Sequence, residues 1–240
     1  MNRLTDRLQI IADEVKKGET MADIGTDHGF LPLYLWEKGI SPKVIMCDIS
    51  DPSLAKAKGA AGSYQFGNEL DFRAGDGLKV LDAGEVDDIV IAGMGGLLII
   101  DILSDNMKKT MSFRKYVLQP RNNSGKLRYW LVSNGFEISR NQLVREGKFI
   151  CEVITAVTRK SPEADAQELT GYEYGADSPY WELPKDILET QRELAIEYAS
   201  VKETIDMKVL AGMQRGSDID GEEIVKQKQR LAYWRRFIEL

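Results

Sequence analysis

Apolar residues recur with two different periods along the first 160 residues of the chain. Between residues 3 and 17 they lie three or four positions apart, which predicts an amphipathic helix. Short apolar runs that end in glycine or aspartate then predict strands at residues 20–24, 43–49, 70–73, 88–92 and 115–118. Stretches with helical spacing follow four of these strands, at residues 30–38, 51–66, 97–104 and 126–134.

Two further strands are predicted at residues 136–143 and 149–158, and they have the pattern of an antiparallel pair. Repeated alternation of strand and helix, followed by such a pair, predicts an α/β fold built on a doubly wound sheet. Ligands of such sheets bind at the carboxyl ends of the strands. The loops that follow the strands are therefore the predicted location of the functional site.

The pattern changes after residue 160, and the chain is divided there into three predicted parts. Residues 1–160 form the sheet domain. Residues 161–184 are polar and contain three prolines, which predicts a linker whose aromatic side chains pack on a neighbour (Tyr172, Tyr174, Tyr180 and Trp181). Residues 185–240 have coiled-coil spacing on both sides of a turn, which predicts a helical hairpin. Its predicted apolar seam contains Leu194, Tyr198, Val201, Ile205, Val209, Ile224, Leu231 and Ile238.

The composition is that of a soluble globular protein, with 43% hydrophobic and 29% charged residues in a chain of 240. No run of about 18 apolar residues is present, and the N-terminus lacks the apolar core of a signal peptide. Cys47 and Cys151 lie far apart in apolar runs, which predicts reduced, buried thiols. We expect a cytoplasmic protein without membrane association, a metal site or an obligate protein partner.

The net charge of −6 is unevenly distributed along the chain. Residues 106–160 carry 12 Lys and Arg against three acids, whereas residues 161–206 carry 12 acids against three bases. Because the local field decides where a polyanion docks, the basic block is a candidate nucleic-acid surface. The alternative is a basic face that only contacts solvent.

Four predicted loops carry residues suited to an adenosyl ligand. The first, "ADIGTDHG", contains Asp23 and two glycines that allow a tight turn and close approach of the backbone. The second strand ends at Asp48, which suits a ribose diol. The third loop presents Asp76, which suits an exocyclic amine, and the fourth is the glycine-rich "GMGG" of residues 93–96.

The first loop lacks the G-x-G-x-x-G spacing of dinucleotide-binding proteins, and Asp27 would repel a pyrophosphate. A sulfonium and an ammonium group tolerate carboxylates well, so the loops predict S-adenosylmethionine as the cofactor. Other interpretations remain open for each residue. Asp48 and Asp76 could be helix N-caps or turn residues, residues 93–96 a flexible turn, and His28 a structural histidine.

These residues resemble the bacterial tRNA (adenine-22-N1)-methyltransferase family. The resemblance spans roughly residues 3–158 and rests on "RLQIIADEVKKGETMADIGTDHGFLPLYL", "GDGL", "DDIVIAGMGG" and "LQP". It implies a Rossmann-like seven-stranded sheet of class I methyltransferases, S-adenosylmethionine as cofactor, tRNA as partner and a C-terminal coiled coil. The fourth loop also lacks the Pro-Pro-aromatic signature of enzymes that methylate exocyclic adenine nitrogens. Arg121 departs from the family pattern, in which a neutral residue is expected.

From the loops and the resemblance together we assign candidate residues to three roles. The catalytic candidates are Asp27, Met94 and Gln119. The cofactor-binding candidates are Asp23, Gly25, Thr26, His28, Gly29, Asp48, Ile49, Asp76, Gly77 and Gly93, and the RNA-binding candidates are Arg3, Arg7, Lys108, Lys109, Arg121, Lys126 and Arg128. Two alternatives remain: a methyltransferase acting on another RNA or a small molecule, and a non-catalytic RNA-binding protein with a vestigial cofactor pocket.

Overall fold

A computed structural model describes residues 3–62, 69–159, 175–215 and 221–239 and contains a seven-stranded sheet in the order β3-β2-β1-β4-β5-β7-β6. Strands β1 to β5 pair in parallel, whereas β7 is antiparallel to both of its neighbours. The strands are β1 (Met21–Ile24), β2 (Val44–Asp48), β3 (Leu70–Ala74), β4 (Asp88–Met94), β5 (Lys115–Pro120), β6 (Phe136–Glu146) and β7 (Phe149–Thr158). The predicted fold class and the predicted antiparallel pair are confirmed.

Helices cover both faces of the sheet. One face packs against α1, α2 and α3 through residues such as Ile11, Leu33 and Ala57, and the other packs against α4 and α6 through Ile99 and Leu127. The helices are α1 (Asp6–Asp13), α2 (Phe30–Glu37), α3 (Asp51–Ala61), α4 (Gly96–Ser104), α5 (Met107–Thr110), α6 (Ser124–Ser133), α7 (Lys185–Thr190), α8 (Arg192–Met213) and α9 (Gly221–Ile238). Chain order reverses at β1 and β4, where a doubly wound sheet binds its ligand.

The predicted element boundaries differ from the observed ones mainly at helix ends. The first helix is shorter than predicted because Thr5 caps its start by accepting a hydrogen bond from the backbone of Leu8, and the chain turns after Glu14. Helix α3 begins as predicted, with Pro52 in its first turn, and ends at Ala61. The rest of the stretch predicted as helix up to residue 66 includes residues 63–66, which lie outside the described residues.

The C-terminal helices pack on the sheet domain as well as on each other. Leu143 of β6 shares a buried cluster with Leu183, Ile187, Tyr198 and Trp234. The predicted seam is wrong for Val201, Ile205 and Val209, which are 49%, 51% and 42% exposed. Helix α8 is instead rotated so that its buried residues are Ala195, Tyr198, Ala199 and Asp206. The reason is that docking on the sheet domain, together with pairing to α9, selects the buried face.

The described part of the predicted linker is packed on helix α6. Its short 3-10 helix, Pro179–Trp181, buries Trp181 edge-on against Tyr129. Trp181 therefore packs on a neighbour as predicted, whereas the contact of Tyr180 is with Trp181 of the same segment. Tyr172 and Tyr174 lie outside the described residues, as does the predicted helical turn at residues 216–218.

A buried ion cluster closes the edge of the sheet at which the parallel strands begin. Lys115 Nζ lies 2.5 Å from Glu19 Oε2 and 3.0 Å from Asp88 Oδ2, and Arg114 also pairs with Glu19. Lys115 additionally donates to the backbone carbonyl of Glu14 at 2.7 Å. Because each buried charge has an opposite partner, the cluster ties β4 and β5 to the segment before β1.

Among the described residues, no helix has the length and apolar character required to cross a membrane. Both cysteines are free thiols, but only Cys47 is fully buried, whereas Cys151 is partly exposed. The prediction of two reduced thiols agrees with this arrangement, and the prediction that both are buried is wrong for Cys151. Its strand, β7, runs near the surface at that point.

Candidate active site

The loop after β1 is folded back onto the end of β2. The backbone amides of Gly25 and Thr26 both donate to the carbonyl of Cys47, at 2.7 and 3.0 Å. Gly25 has φ +83°, a conformation that favours glycine. Asp23 is buried beneath the turn and accepts a hydrogen bond from the Thr26 hydroxyl, and its burial raises its pKa to about 6. The first loop is thus a constrained turn over a buried carboxyl group.

Asp27 and His28 lie on the solvent side of this turn. The Asp27 carboxylate is 2.6 Å from His28 Nδ1 and 2.8 Å from Lys56 Nζ of α3, and about half of its side chain is exposed. The hydrogen bond from Lys56 lowers the pKa of Asp27, with a smaller contribution from His28. Asp27 is therefore a carboxylate at the mouth of the loop with two cationic or polar partners. Its φ of +42° is unusual for a residue with a side chain.

Asp48 and Ile49 stand at the end of β2 beside the first loop. Asp48 Oδ1 accepts from the backbone of Ser50 at 2.7 Å, and its Oδ2 lies 3.4 Å from the backbone nitrogen of Asp27. Ser50 and not Asp48 caps helix α3. Ile49 is 75% exposed, so this edge combines a half-buried carboxylate with an uncovered apolar side chain.

The third loop forms one wall of a cleft of about 260 Å³. Asp76 is exposed and pairs with Lys79 at 2.6 Å, and it makes no cap hydrogen bond to the 3-10 helix Gly77–Val80 that follows it. The opposite wall is supplied by helix α4, through residues that include Leu98 and Ile102. Gly77 has φ +55° and approaches Ile102 closely. The N-cap alternative for Asp76 is not supported by its contacts.

The glycine-rich fourth loop contacts both neighbouring loops. The methyl group of Met94 lies directly over Gly25, where a β-carbon would be only 2.3 Å from it. A β-carbon on Gly96 would be 2.6 Å from the carbonyl oxygen of Asn122, so this position has no room for a side chain. Gly93 has φ +76° and lies near the guanidinium of Arg121. The loop is therefore held in position and is not a flexible turn.

Gln119 connects this loop to the N-terminal helix. Its Oε1 accepts from the backbone of Gly93 at 3.1 Å and from Arg7 Nη1 at 3.2 Å, and its Nε2 donates to the carbonyl of Pro120. Arg7 is also paired with Glu146, at 3.7 Å. Gln119 is nearly fully buried, so its observed role is to fix the loop. Sequence reasoning assigned Arg7 to the RNA and missed this contact because residues 7 and 119 are far apart in the chain.

Four of the RNA-binding candidates, Arg3, Lys108, Arg121 and Lys126, are exposed, whereas Arg128 is not. Arg128 is fully buried and donates to Glu152, Asn141 and the backbone carbonyls of residues 181 and 182. Its assignment to RNA is therefore wrong, because the guanidinium joins β6, β7 and the segment before α7. Lys126 is exposed but lies 3.6 Å from Asp177, and Lys109 donates to the carbonyl of Leu78.

The basic block is also less basic in space than in sequence. Among the described residues, six of its 12 bases pair with acids, namely Arg114, Lys115, Lys126, Arg128, Arg140 and Arg145. Most of the acids in these pairs lie outside the block. The acidic partners outside the block come from the segment between α1 and β1, from β4 and from the C-terminal part of the chain. A count along the sequence could not pair these acids with the bases. The bases of the block that are left for contacts with RNA are therefore fewer than the charge count suggested.

The sheet domain is similar to known methyltransferases. The family model described as a methyltransferase domain matches residues 4–154. The chain is 34% identical to the tRNA (adenine(22)-N(1))-methyltransferase of Bacillus subtilis (strain 168) over 154 residues. That alignment covers 64% of this chain and 65% of the relative, slightly less than two thirds of its length.

Solved structures align over nearly the whole chain. The crystal structure of the B. subtilis m1A22 tRNA methyltransferase TrmK has a TM-score of 0.83 at 25% identity and covers 98% of this chain and 99% of that one. The chain belongs to the bacterial tRNA (adenine-22-N1)-methyltransferase family. M. capricolum TrmK in complex with S-adenosyl-homocysteine has a TM-score of 0.75 at 22% identity, with 99% of both chains covered. The family predicted from the sequence motifs and the presence of a methyltransferase domain are confirmed.

Proposed function

We propose that this protein is an enzyme that transfers a methyl group from S-adenosylmethionine to N1 of adenine at position 22 of tRNA. The observation that carries the proposal is the convergence of four loops at the carboxyl edge of the sheet. Asp48, Asp76 and the turns at Gly25 and Gly93 lie at or just after the carboxyl ends of four different strands. The family to which the chain belongs indicates the reaction, methyl transfer, and the nucleobase that is methylated, adenine 22.

The donor set of the cleft fits this cofactor. Asp48 Oδ2 makes a long contact of 3.4 Å with the backbone amide of Asp27, which leaves it able to accept from ribose hydroxyls. Ile49 offers exposed apolar surface beside it, and Asp76 faces the cleft bounded by α4. When bound, S-adenosylmethionine supplies an electrophilic methyl group on a sulfonium. The carboxylates of this edge tolerate that positive charge, and they would repel the pyrophosphate of a dinucleotide.

The chemistry required of the protein is mainly positioning. Adenine N1 carries an in-plane lone pair, so attack on a methyl carbon needs no strong general base, and an aligned approach lowers most of the barrier. The Arg7–Gln119–Gly93 hydrogen bonds hold the loop that we assign to the side of the acceptor base. Methylation leaves the base cationic, and a nearby carboxylate would stabilise that charge as it develops. Asp27 remains our candidate for this role.

The proposed partner is tRNA alone, in the cytoplasm, without an obligate protein partner. N1 of a stacked or paired adenine is hidden, so the nucleotide must leave its stack, at a cost of a few kcal/mol. The exposed bases Arg3, Lys108 and Arg121 are the candidates for contacts with the phosphate backbone. A vestigial cofactor pocket is disfavoured because Asp48, Asp76 and the glycine turns are all intact.

The test is incubation of the purified protein with labelled S-adenosylmethionine and unmodified tRNA, followed by nucleoside analysis. We expect 1-methyladenosine, and we expect none from a transcript in which guanine replaces adenine 22. Label in another nucleoside, or transfer to the guanine-22 transcript at a different site, would contradict the proposed position. Absence of any transfer to tRNA would favour a small-molecule methyltransferase or a non-catalytic RNA-binding protein.

A further inference from the structure

The β6–β7 hairpin extends beyond the edge of the sheet that carries the cofactor loops. Leu118 of β5 pairs with Ile154 of β7, so the end of β5 at Pro120 lies opposite Glu152. Residues 149–151 and their partners on β6 continue past that point. Three residues at about 3.4 Å each place the tip about 10 Å beyond the end of β5. β6 runs parallel to β5, so the tip is at the carboxyl edge.

The projecting hairpin is braced from both sides. Glu146 accepts from the backbone of Arg7 at 3.2 Å and pairs with its guanidinium, which holds one side against α1. Arg145 Nη1 donates to Glu197 of α8 at 2.9 Å, which holds the other side against the C-terminal helices. Gly147 makes the turn with φ +59°. The tip therefore has contacts with the rest of the protein on both sides and is not a free loop.

The braced tip displays an aromatic ring and a cation. Phe149 is 62% exposed, whereas the next residues of β7, Ile150 and Cys151, pack against buried clusters. Lys148 Nζ lies 5.3 Å from the centre of the Phe149 ring. An exposed ring accepts a nucleobase by stacking, and an adjacent ammonium accepts a phosphate. The same Arg7 that pairs with Glu146 also holds Gln119, so the tip is joined to the loop on the acceptor side.

We propose that the tip of the β6–β7 hairpin is a contact surface for tRNA, in which an unpaired base near the methylated adenine stacks on Phe149 and Lys148 binds a neighbouring phosphate. The inference rests on the proposed function, since it names how the substrate is held. RNA is favoured over a protein partner because the tip pairs an exposed ring with a cation, and because it stands at the edge where the target base must enter.

The chain contains a matched control at the opposite edge of the sheet. Lys38 Nζ lies 6.0 Å from the ring of Tyr34, at the C-terminal end of α2, which runs away from the cofactor loops. Like Lys148, Lys38 is exposed. Charge reversal of Lys38 changes the total charge as much as reversal of Lys148, so a difference between them reports position and not net charge.

The experiment measures steady-state kinetics on unmodified tRNA at several salt concentrations. Phe149→Ala should raise KM for tRNA by about 5- to 150-fold, the loss of one base–aromatic stack, with cofactor affinity unchanged. Phe149→Leu should behave like Phe149→Ala because it retains apolar bulk without a ring, and Phe149→Trp should retain activity.

Lys148→Ala should lower the salt dependence of tRNA binding by about one counterion. Lys148→Glu should raise KM for tRNA strongly, whereas Lys38→Glu should change it little.

Two outcomes would overturn the inference and can be told apart. If the wild-type protein methylates tRNA and Phe149→Ala and Lys148→Glu behave like Lys38→Glu, the hairpin tip does not contact the RNA and the proposed function stands. If the wild-type protein neither binds nor methylates tRNA, the proposed function fails and the inference fails with it. Phe149→Leu covers the case in which the alanine variant is unstable, and activity in Phe149→Leu equal to wild type would refute stacking.

Discussion

The two edges of the sheet use the same residue types for opposite purposes. At the carboxyl edge, Asp27 and Asp76 are about half exposed and pair with lysines that are also exposed. At the amino edge, Asp88 has no exposed surface, and Lys115 is enclosed with it and with Glu19. Ion pairs of the first kind contribute little to stability and leave the carboxylates available, whereas pairs of the second kind are costly to break.

This difference shows that the position of an aspartate relative to a parallel strand carries more information than its identity. Asp48 ends a strand, and Asp88 begins one. In a doubly wound sheet the first position faces the ligand and the second faces the closed end. Substitutions can change one edge at a time, and the response of the other edge can then be measured.

Lys115→Met should produce the largest effect. It leaves the buried carboxylates of Glu19 and Asp88 without their shared cation, and we expect the free energy of unfolding to fall by about 3–5 kcal/mol. Chemical denaturation would measure the loss, and calorimetry at low temperature should find normal cofactor affinity in the folded fraction. Lys43→Met removes a partly exposed pair with Glu85 and should cost at most about 1 kcal/mol. Equal losses in the two variants would contradict the distinction between buried and partly exposed ion pairs.

Asp48→Ala should have the reverse effect of Lys115→Met, with weaker cofactor binding and nearly unchanged stability. Removal of the proposed ribose acceptor should weaken S-adenosylmethionine binding by about 1–3 kcal/mol, or roughly 5- to 150-fold, because it leaves buried hydroxyl groups of the ligand unpaired. The melting temperature of the ligand-free protein should change little. Asp51→Ala, an exposed change three residues away in the first turn of α3, is the control for calorimetry. Unchanged affinity in Asp48→Ala would remove Asp48 from the ribose role.

Local sequence signals predicted the sheet, its antiparallel pair and the four loops, because each depends on short-range periodicity and on turns that need glycine. Contacts between distant residues were not predictable in this way. The Arg7–Gln119 and Arg128–Glu152 pairs join residues 112 and 24 positions apart, and no local pattern indicates either. Arg128 shows the consequence, since a charge count placed on the surface a side chain that the fold buries completely.

Asp27→Asn should reduce turnover at saturating cofactor by about tenfold, which corresponds to about 1.4 kcal/mol of transition-state stabilisation. The variant retains the size of the side chain but loses the charge that pairs with Lys56. A loss of turnover in Asp27→Asn could come from the missing carboxylate charge or from the broken ion pair with Lys56. Lys56→Met separates these two explanations, because it removes the ion pair and retains the carboxylate. If Asp27 stabilises the cationic product, only Asp27→Asn should lose turnover. A loss of cofactor affinity alone, with normal turnover, would make Asp27 a ligand of the cofactor.

The smallest effect concerns the pH dependence of stability, to which each edge contributes one buried carboxyl group. Burial, with a smaller contribution from the hydrogen bond with Glu19, raises the pKa of Asp88 to about 7. Burial also raises the pKa of Asp23 to about 6. Unfolded aspartate titrates near pH 4, so between pH 4 and these values the folded protein binds more protons than the unfolded chain. Both groups therefore make stability fall as pH rises, Asp23 up to about pH 6 and Asp88 up to about pH 7.

Glu19 contributes a pH dependence of the opposite sign, so that stability rises with pH, and it does so over a different pH range. Against the effect of its own burial, hydrogen bonds with Asp88 and Lys115 lower the pKa of Glu19 to about 2, so its contribution is complete above about pH 4.5 and does not change between pH 5 and 7. Asp88→Asn should therefore remove the decline between pH 6 and 7. Asp23→Asn should reduce the decline between pH 4 and 6 without removing it, because Asp88 also contributes there. The slope that either group contributes cannot exceed about 1.4 kcal/mol per pH unit, the value for one proton. Urea denaturation at half-unit pH intervals measures both, and an Asp88→Asn protein that still loses stability like wild type between pH 6 and 7 would show that Asp88 remains ionised in the folded protein.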